Sequence, residues 1–260
     1  MNETHQPAIF LGHGSPTIAI ENSPVTEKFA AIGKEIIKNH GKPKAILMIS
    51  AHWLKSANRI QSAPKPRQIY DFYGFQPALY AVKYEPEGCP ELTEKMLSIK
   101  DLELGVDDSW GIDHGAWTPL VHMFPEADIP VAQLSLNGKI SPSECFRIGQ
   151  MLSRLRSDGY LIMGSGNIVH NLWQVDWGNP GGSAEAESFN NLIVSAVERG
   201  DYESVIDFRR SSDATFAVPT TEHFLPLLYV LGAAGEDKPL IFNNLCTLGS
   251  IAMTGFAFGI

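Results

Sequence analysis

A chain of 260 residues with 44% hydrophobic and 19% charged residues is long enough to bury one sizeable core, and its composition is that of a folded protein, not a disordered one. A formal charge of −9 without a long basic block argues against a nucleic-acid partner, whose phosphates call for clustered Lys and Arg. The cysteines Cys89, Cys145 and Cys246 form no CxxC pair, so neither a thiolate zinc site nor a disulfide framework is signalled. The first residues lack the basic-then-apolar pattern of a secretory signal, and no apolar stretch is long enough to cross a bilayer. A cytoplasmic, membrane-free setting is expected.

In chain order, an apolar strand over 8–11 leads into His13-Gly14-Ser15-Pro16. A helix over 24–39 follows, with Ser23 as N-cap, Pro24 in the first position and Gly41 as stop. A second strand over 45–49 runs into Ala51-His52-Trp53. Further strands are predicted over 59–62 and 79–84 around a long loop at 64–74, of a length that in compact domains tends to be functional. A helix over 91–99 and a polar, Trp-studded loop at 107–117 precede a short helix over 119–124. Next come a strand over 129–136, a helix opened by the capping box Ser141-Pro142-Ser143-Glu144 and ending near Gly159, and a strand over 160–163. Helices over 184–198, 202–208 and 221–232 and closing strands after Ile241 complete the chain. The alternation predicts one α/β domain over 1–260, with a central, mostly parallel (mixed) sheet flanked by helices.

Three of the apolar runs break off at a histidine: His13, His52 and, after Gly164-Ser165-Gly166-Asn167-Ile168-Val169, His170. Ligands of open α/β sheets gather at the carboxyl ends of the strands. A fold that repeatedly delivers imidazoles to that edge points to a metal. His13 and His52, on strands joined by a single helix, are expected on neighbouring parallel strands. His223, near a helix start, is favoured over Glu222 as a further ligand, because a carboxylate there can serve the helix N-terminus. His170 fits either a fourth ligand or an acid/base beside the metal. His114 is expected in an exposed loop beside the Asp113 carboxylate, near aromatic groups that line a pocket. His122 reads as a satisfied core histidine, and His5 and His40 as surface residues. Trp53, Trp110, Trp117, Trp173 and Trp177 are candidate walls for a ring-shaped substrate. Gly164-Ser165-Gly166 lacks the GxGxxG and GxxxxGK patterns and is a weak phosphate signal.

With Gly12-His13-Gly14-Ser15-Pro16, Ser50-Ala51-His52-Trp53, Asp113-His114-Gly115-Ala116-Trp117-Thr118-Pro119-Leu120, Gly166-Asn167-Ile168-Val169-His170-Asn171 and Glu222-His223-Phe224-Leu225-Pro226-Leu227 in view, the chain resembles the class III extradiol ring-cleaving dioxygenases, in their 4,5-DOPA extradiol dioxygenase branch. The likeness runs from residue 8 to about residue 257. It implies a metal site at the strand ends, with iron(II) for dioxygenase activity and zinc frequently in its place on isolation. His13 and His52 match two metal-binding histidines and His223 the third ligand position. His170 matches a histidine that acts as acid/base or joins the metal shell, and His114 one near the substrate. Better-studied relatives place an acidic residue third, whereas the position here is histidine; an all-imidazole shell also suits zinc.

The expected chemistry is opening of a catechol such as DOPA by O2 to a semialdehyde, with His114 or His170 moving the proton and the loop at 71–74 as a candidate cover. A zinc-dependent hydrolase and a non-catalytic metal-binding homologue are the alternatives. The expected partners are a catecholic substrate and O2, with the protein a monomer or small homo-oligomer.

Overall fold

The computed structural model describes residues 5–260. The chain runs β1 (Ala8–Gly12), α1 (Pro24–His40), β2 (Ala45–Lys55), β3 (Arg59–Ile60), α2 (Pro77–Ala81), α3 (Pro90–Leu97), β4 (Gly105–Val106), α4 (His114–Met123), β5 (Val131–Asn137), α5 (Pro142–Leu152), α6 (Arg154–Ser157) and β6 (Tyr160–Gly166). It continues through α7 (Ala184–Glu198), α8 (Tyr202–Ile206), α9 (Ala214–Ala217), α10 (Leu225–Ala234), β7 (Pro239–Phe242), β8 (Cys246–Thr247), β9 (Ile251–Ala252) and β10 (Gly255–Phe258). Strands β8 and β9 form a small hairpin; the rest make an eight-stranded sheet in the order β4-β3-β5-β2-β6-β1-β10-β7. The heart of the sheet, β5-β2-β6-β1, is parallel, while β10 closes on β1 antiparallel.

The parallel strands are apolar on both faces because both faces are covered. Ile9, Leu11, Ile46, Met48 and Met163 share one core with Phe29 and Ile32 of α1 and Trp117 and Leu120 of α4. Alternate residues Phe10, Leu47, Ile49 and Ile162 pack on the other side with α5, α7 and α10. Helix α10 is buried along its whole length, which explains its unbroken Leu-Pro-Leu-Leu-Tyr-Val-Leu run. Helix α1 starts as expected: the Ser23 hydroxyl accepts from Thr26 N–H while Thr26 caps Ser23 in return.

Several expectations are corrected. The predicted strand over 79–84 is instead the short helix α2, opened by Pro77, because a run of a few apolar residues carries too little periodicity to separate the two states. Helix α4 starts at His114, not at Pro119, because Asp113 caps it through Ala116 N–H. The last long helix begins at Leu225, leaving Glu222 and His223 ahead of it. Strand β2 extends past Ser50 to Lys55, with a register shift against β5 between Ile49 and Leu54, so His52 lies inside a strand. Strands β1 and β2 are not neighbours: β6 lies between them and pairs with both, since the α1 crossover skips one position that a later strand fills.

Candidate metal centre

Five imidazoles converge at the carboxyl ends of β1, β2 and β6. The ring of His13 stands 5.0 Å from His52, 5.3 Å from His223 and 5.6 Å from His114. His52 lies 5.1 Å from His223 and 4.0 Å from His114, and His170 stacks on His223 at 3.4 Å. Two groups have the mutual spacing of metal ligands: His13 with His52 and His114, and His170 with Glu222 and His223.

The orientation of His13 follows from a chain of proton placements that begins at a proline. Pro119 has no N–H, so the carbonyl of Gly115 one turn earlier in α4 lacks its helical donor. The Ser165 hydroxyl of β6 donates to that carbonyl at 2.5 Å. With its proton so committed, Ser165 Oγ accepts from His13 Nδ1 at 2.9 Å, which puts the neutral ring's proton on Nδ1 and leaves Nε2 a bare lone pair. That Nε2 faces His52 Nε2 at 3.1 Å.

Two glycines give the rings room. A Cβ on Gly115 would come within 2.7 Å of His52 Cδ2 and of Ser50 Oγ. A Cβ on Gly166 would fall 2.1 Å from the His223 carbonyl oxygen, which accepts from Asn167 N–H at 2.9 Å. The small residues of Gly164-Ser165-Gly166 thus let the segment before α10 press onto the end of β6 and bring His223 in.

His114 is buried at the first turn of α4, not exposed as expected, because the 61–76 loop folds over it. Its backbone N–H donates to Asp71 Oδ1 at 2.9 Å, and its Nδ1 lies 3.0 Å from the same oxygen, off the line of a full hydrogen bond. Asp71 Oδ2 stands 3.5 Å from His52 Nδ1. The carboxylate beside His114 in sequence, Asp113, turns inward and is fully saturated by Ser50 Oγ, Trp110 Nε1, Gln133 Nε2 and Ala116 N–H. Glu222 does not serve the α10 terminus; it accepts from Thr220 Oγ1 and lies 3.2 Å from His223 Nδ1.

His170 and His223 lie parallel, 7° apart. An ion bound by imidazole sits in the ring plane, at about 2.0–2.1 Å for zinc, so two stacked rings cannot both point at one ion. His223 Nε2 is buried without a hydrogen-bond partner.

Burial, reinforced by the neighbouring imidazoles, holds His13 and His223 well below the ordinary histidine range. The same causes take His52 and His170 down to about 4, against nearby carboxylates. Asp71, despite burial, is held below the usual carboxylate value by its hydrogen bond and charge contacts with His114. At neutral pH His13, His52, His170 and His223 are thereby held as neutral imidazoles, each with one lone pair to offer. The Nε2 atoms of His13 and His52, facing one another at 3.1 Å, with a partnerless buried Nε2 on His223 nearby, fit the donor set of a cation.

Other expectations divide. His122 is satisfied by the Ile18 carbonyl at 2.8 Å, and His5 pairs with Asp237 at 3.0 Å. Trp53 and Trp117 are core residues, and Trp110 braces Asp113. Trp173 and Trp177 are 76% and 78% exposed, Trp177 at the wall of a cavity of about 390 Å3 that also takes in Gly14, Ser15, Phe75 and Met253. The aromatic ring set against the histidines is Phe72, edge-on to His114 at 5.5 Å. Sequence reading missed Asp71 and Ser165 as partners of the imidazoles. The only pointer to Asp71 was its place in a long loop, and Ser165 sat in a motif read for phosphate.

A buried imidazole cluster of this spacing at the carboxyl edge of an α/β sheet defines a metal-site enzyme fold. The chain belongs to the LigB family, the catalytic subunit of aromatic ring-opening dioxygenase, whose model matches residues 2–259. It is 35% identical over 266 residues to the "4,5-DOPA dioxygenase extradiol" of Escherichia coli (strain K12), covering 100% of this chain and 97% of that one. It is 39% identical over 245 residues to the protein of the same name from Beta vulgaris, covering 90% of each. The crystal structure of an uncharacterized protein from Escherichia coli K12 superposes with a TM-score of 0.84 at 30% identity, over 97% of this chain and 99% of that one. Among the described residues no helix is long and apolar enough to cross a membrane.

Proposed function

We propose that this protein opens a catechol ring by extradiol insertion of O2, giving a semialdehyde, with 4,5-cleavage of DOPA or a simpler catechol as the model reaction. The observation that carries this reading is the convergence of His13, His52 and His223 with His114 beside them in one buried cluster. His13, His52 and His223 would hold the ion, and iron(II), when bound, would supply redox chemistry that zinc does not. The stacking of His170 on His223 supports an acid/base role for His170 over a fourth ligand.

His114, with Asp71 at its Nδ1 side, presents Nε2 to a phenolic proton, which an imidazole lone pair can accept. His170, stacked on His223, is the second proton carrier. Phe72 packs edge-on to His114, and the 61–76 loop covers that histidine against bulk water.

The test is to strip the metal, reload with iron(II) without air, and add DOPA or catechol with oxygen. A yellow semialdehyde chromophore is expected with iron and not with zinc. Hydrolysis of esters or amides by the zinc form, with no chromophore from the iron form, would replace this reading with a hydrolase.

A further inference from the structure

One carboxylate addresses two of the clustered imidazoles at once. Asp71 Oδ1 lies 3.0 Å from His114 Nδ1 and takes the His114 backbone N–H at 2.9 Å, while Oδ2 stands 3.5 Å from His52 Nδ1. The two rings it faces are 4.0 Å apart. Neither of the other nearby acids can substitute: Asp113 is saturated by Ser50, Trp110, Gln133 and Ala116, and Glu222 lies against His223.

Asp71 is also held firmly in place, although it belongs to a loop. Ile69 N–H donates to the Ile112 carbonyl at 3.0 Å, Ile112 N–H to the Arg67 carbonyl at 2.8 Å, and Trp117 Nε1 to the Ile69 carbonyl at 3.0 Å. These bonds tie the stretch just before Asp71 to the entry of α4 and to its Trp117. Phe72 follows directly and packs edge-on to His114.

A neutral imidazole carries one proton, so the nitrogen facing a carboxylate keeps it and the opposite nitrogen becomes an acceptor. Carboxylates behind metal-bound histidines fix ring orientation and tautomer in this way. We propose that Asp71 is a positioning residue that holds His52 and His114 in the same tautomer, Nδ1–H toward its carboxylate. His52 Nε2 is thereby committed to the ion and His114 Nε2 to the substrate, and the 61–76 loop ties ion binding to the proton-transfer imidazole. The inference rests on the roles proposed above for those two histidines.

The experiment is long-range 1H–15N correlation of the histidine rings in the zinc-loaded full chain, with His52 and His114 assigned by single replacement. Both are expected as Nδ1–H tautomers in the wild type; an Nε2–H signal from either overturns the proposal. In Asp71→Asn, where the amide cannot accept from both rings through charged oxygens, His114 is expected to lose its single tautomer and zinc affinity to fall 10–100-fold, as for other partners of ligating histidines. Unchanged tautomers together with zinc affinity within twofold of wild type would equally overturn it. Both readouts are independent of turnover, so failure to cleave a catechol would remove the proposed function while leaving the tautomer result to decide this point.

Discussion

Replacing Ser165 with Ala interrupts the chain of proton placements at its centre. The substitution deletes one buried oxygen, leaving His13 Nδ1–H without an acceptor and the Gly115 carbonyl without its donor at 2.5 Å. Leaving a buried polar group unpaired costs about 1–3 kcal/mol. Partners of this kind behind a ligating histidine are worth about 10–100-fold in metal affinity, or roughly 1.4–2.7 kcal/mol, which agrees with that range. Ser165→Ala is therefore expected to fold, to melt a few degrees lower, and to bind zinc or iron(II) about 10–100-fold more weakly in competition with a chelator. Pro119 acts at the same point, because its missing N–H is what leaves the Gly115 carbonyl open to the serine. If Ser165→Ala held zinc within twofold of wild type, the His13 tautomer would not be set by Ser165, nor indirectly by Pro119.

Replacing Gly166 with Ala drives a methyl into the His223 carbonyl, a backbone atom that cannot swing aside, so a loss of about 1–3 kcal/mol and of metal content is expected by thermal melting and metal analysis. His170→Phe keeps an aromatic face on His223 and is expected to retain a full equivalent of metal while turnover falls at least 100-fold; loss of the metal would make His170 a ligand after all. Ion-free protein should lose stability on acidification. His52 and His170 titrate at about 4 in the fold and near 6.5 when unfolded, so the unfolded chain binds protons first. Their effect on stability is nil above pH about 6.5 and grows as pH falls toward about 4, which thermal melts across that range would show; a flat profile would mean the cluster is not buried in solution.

The five histidines were legible because each follows a short apolar run or lies at or just ahead of a helix start, and local signals of that kind need only a few neighbouring residues. Ser23, Pro24 and the fully apolar strands likewise announce their elements. His114 was recognisable as a residue of the site but not as buried, since its cover comes from a loop some forty residues earlier whose path no local pattern encodes.

What the amino-acid sequence by itself determined was the α/β class, the buried parallel core and the presence of imidazoles at its carboxyl edge, all consequences of periodicity and caps. Tertiary structure alone decided that β6 separates β1 from β2, so that His13 and His52 meet across its small-residue end. It alone aimed Ser165 at His13 and Asp71 at His114, and stacked His170 on His223. Strand order and loop path arise from packing between segments far apart in the chain, and it is those contacts that place each proton on one nitrogen or the other.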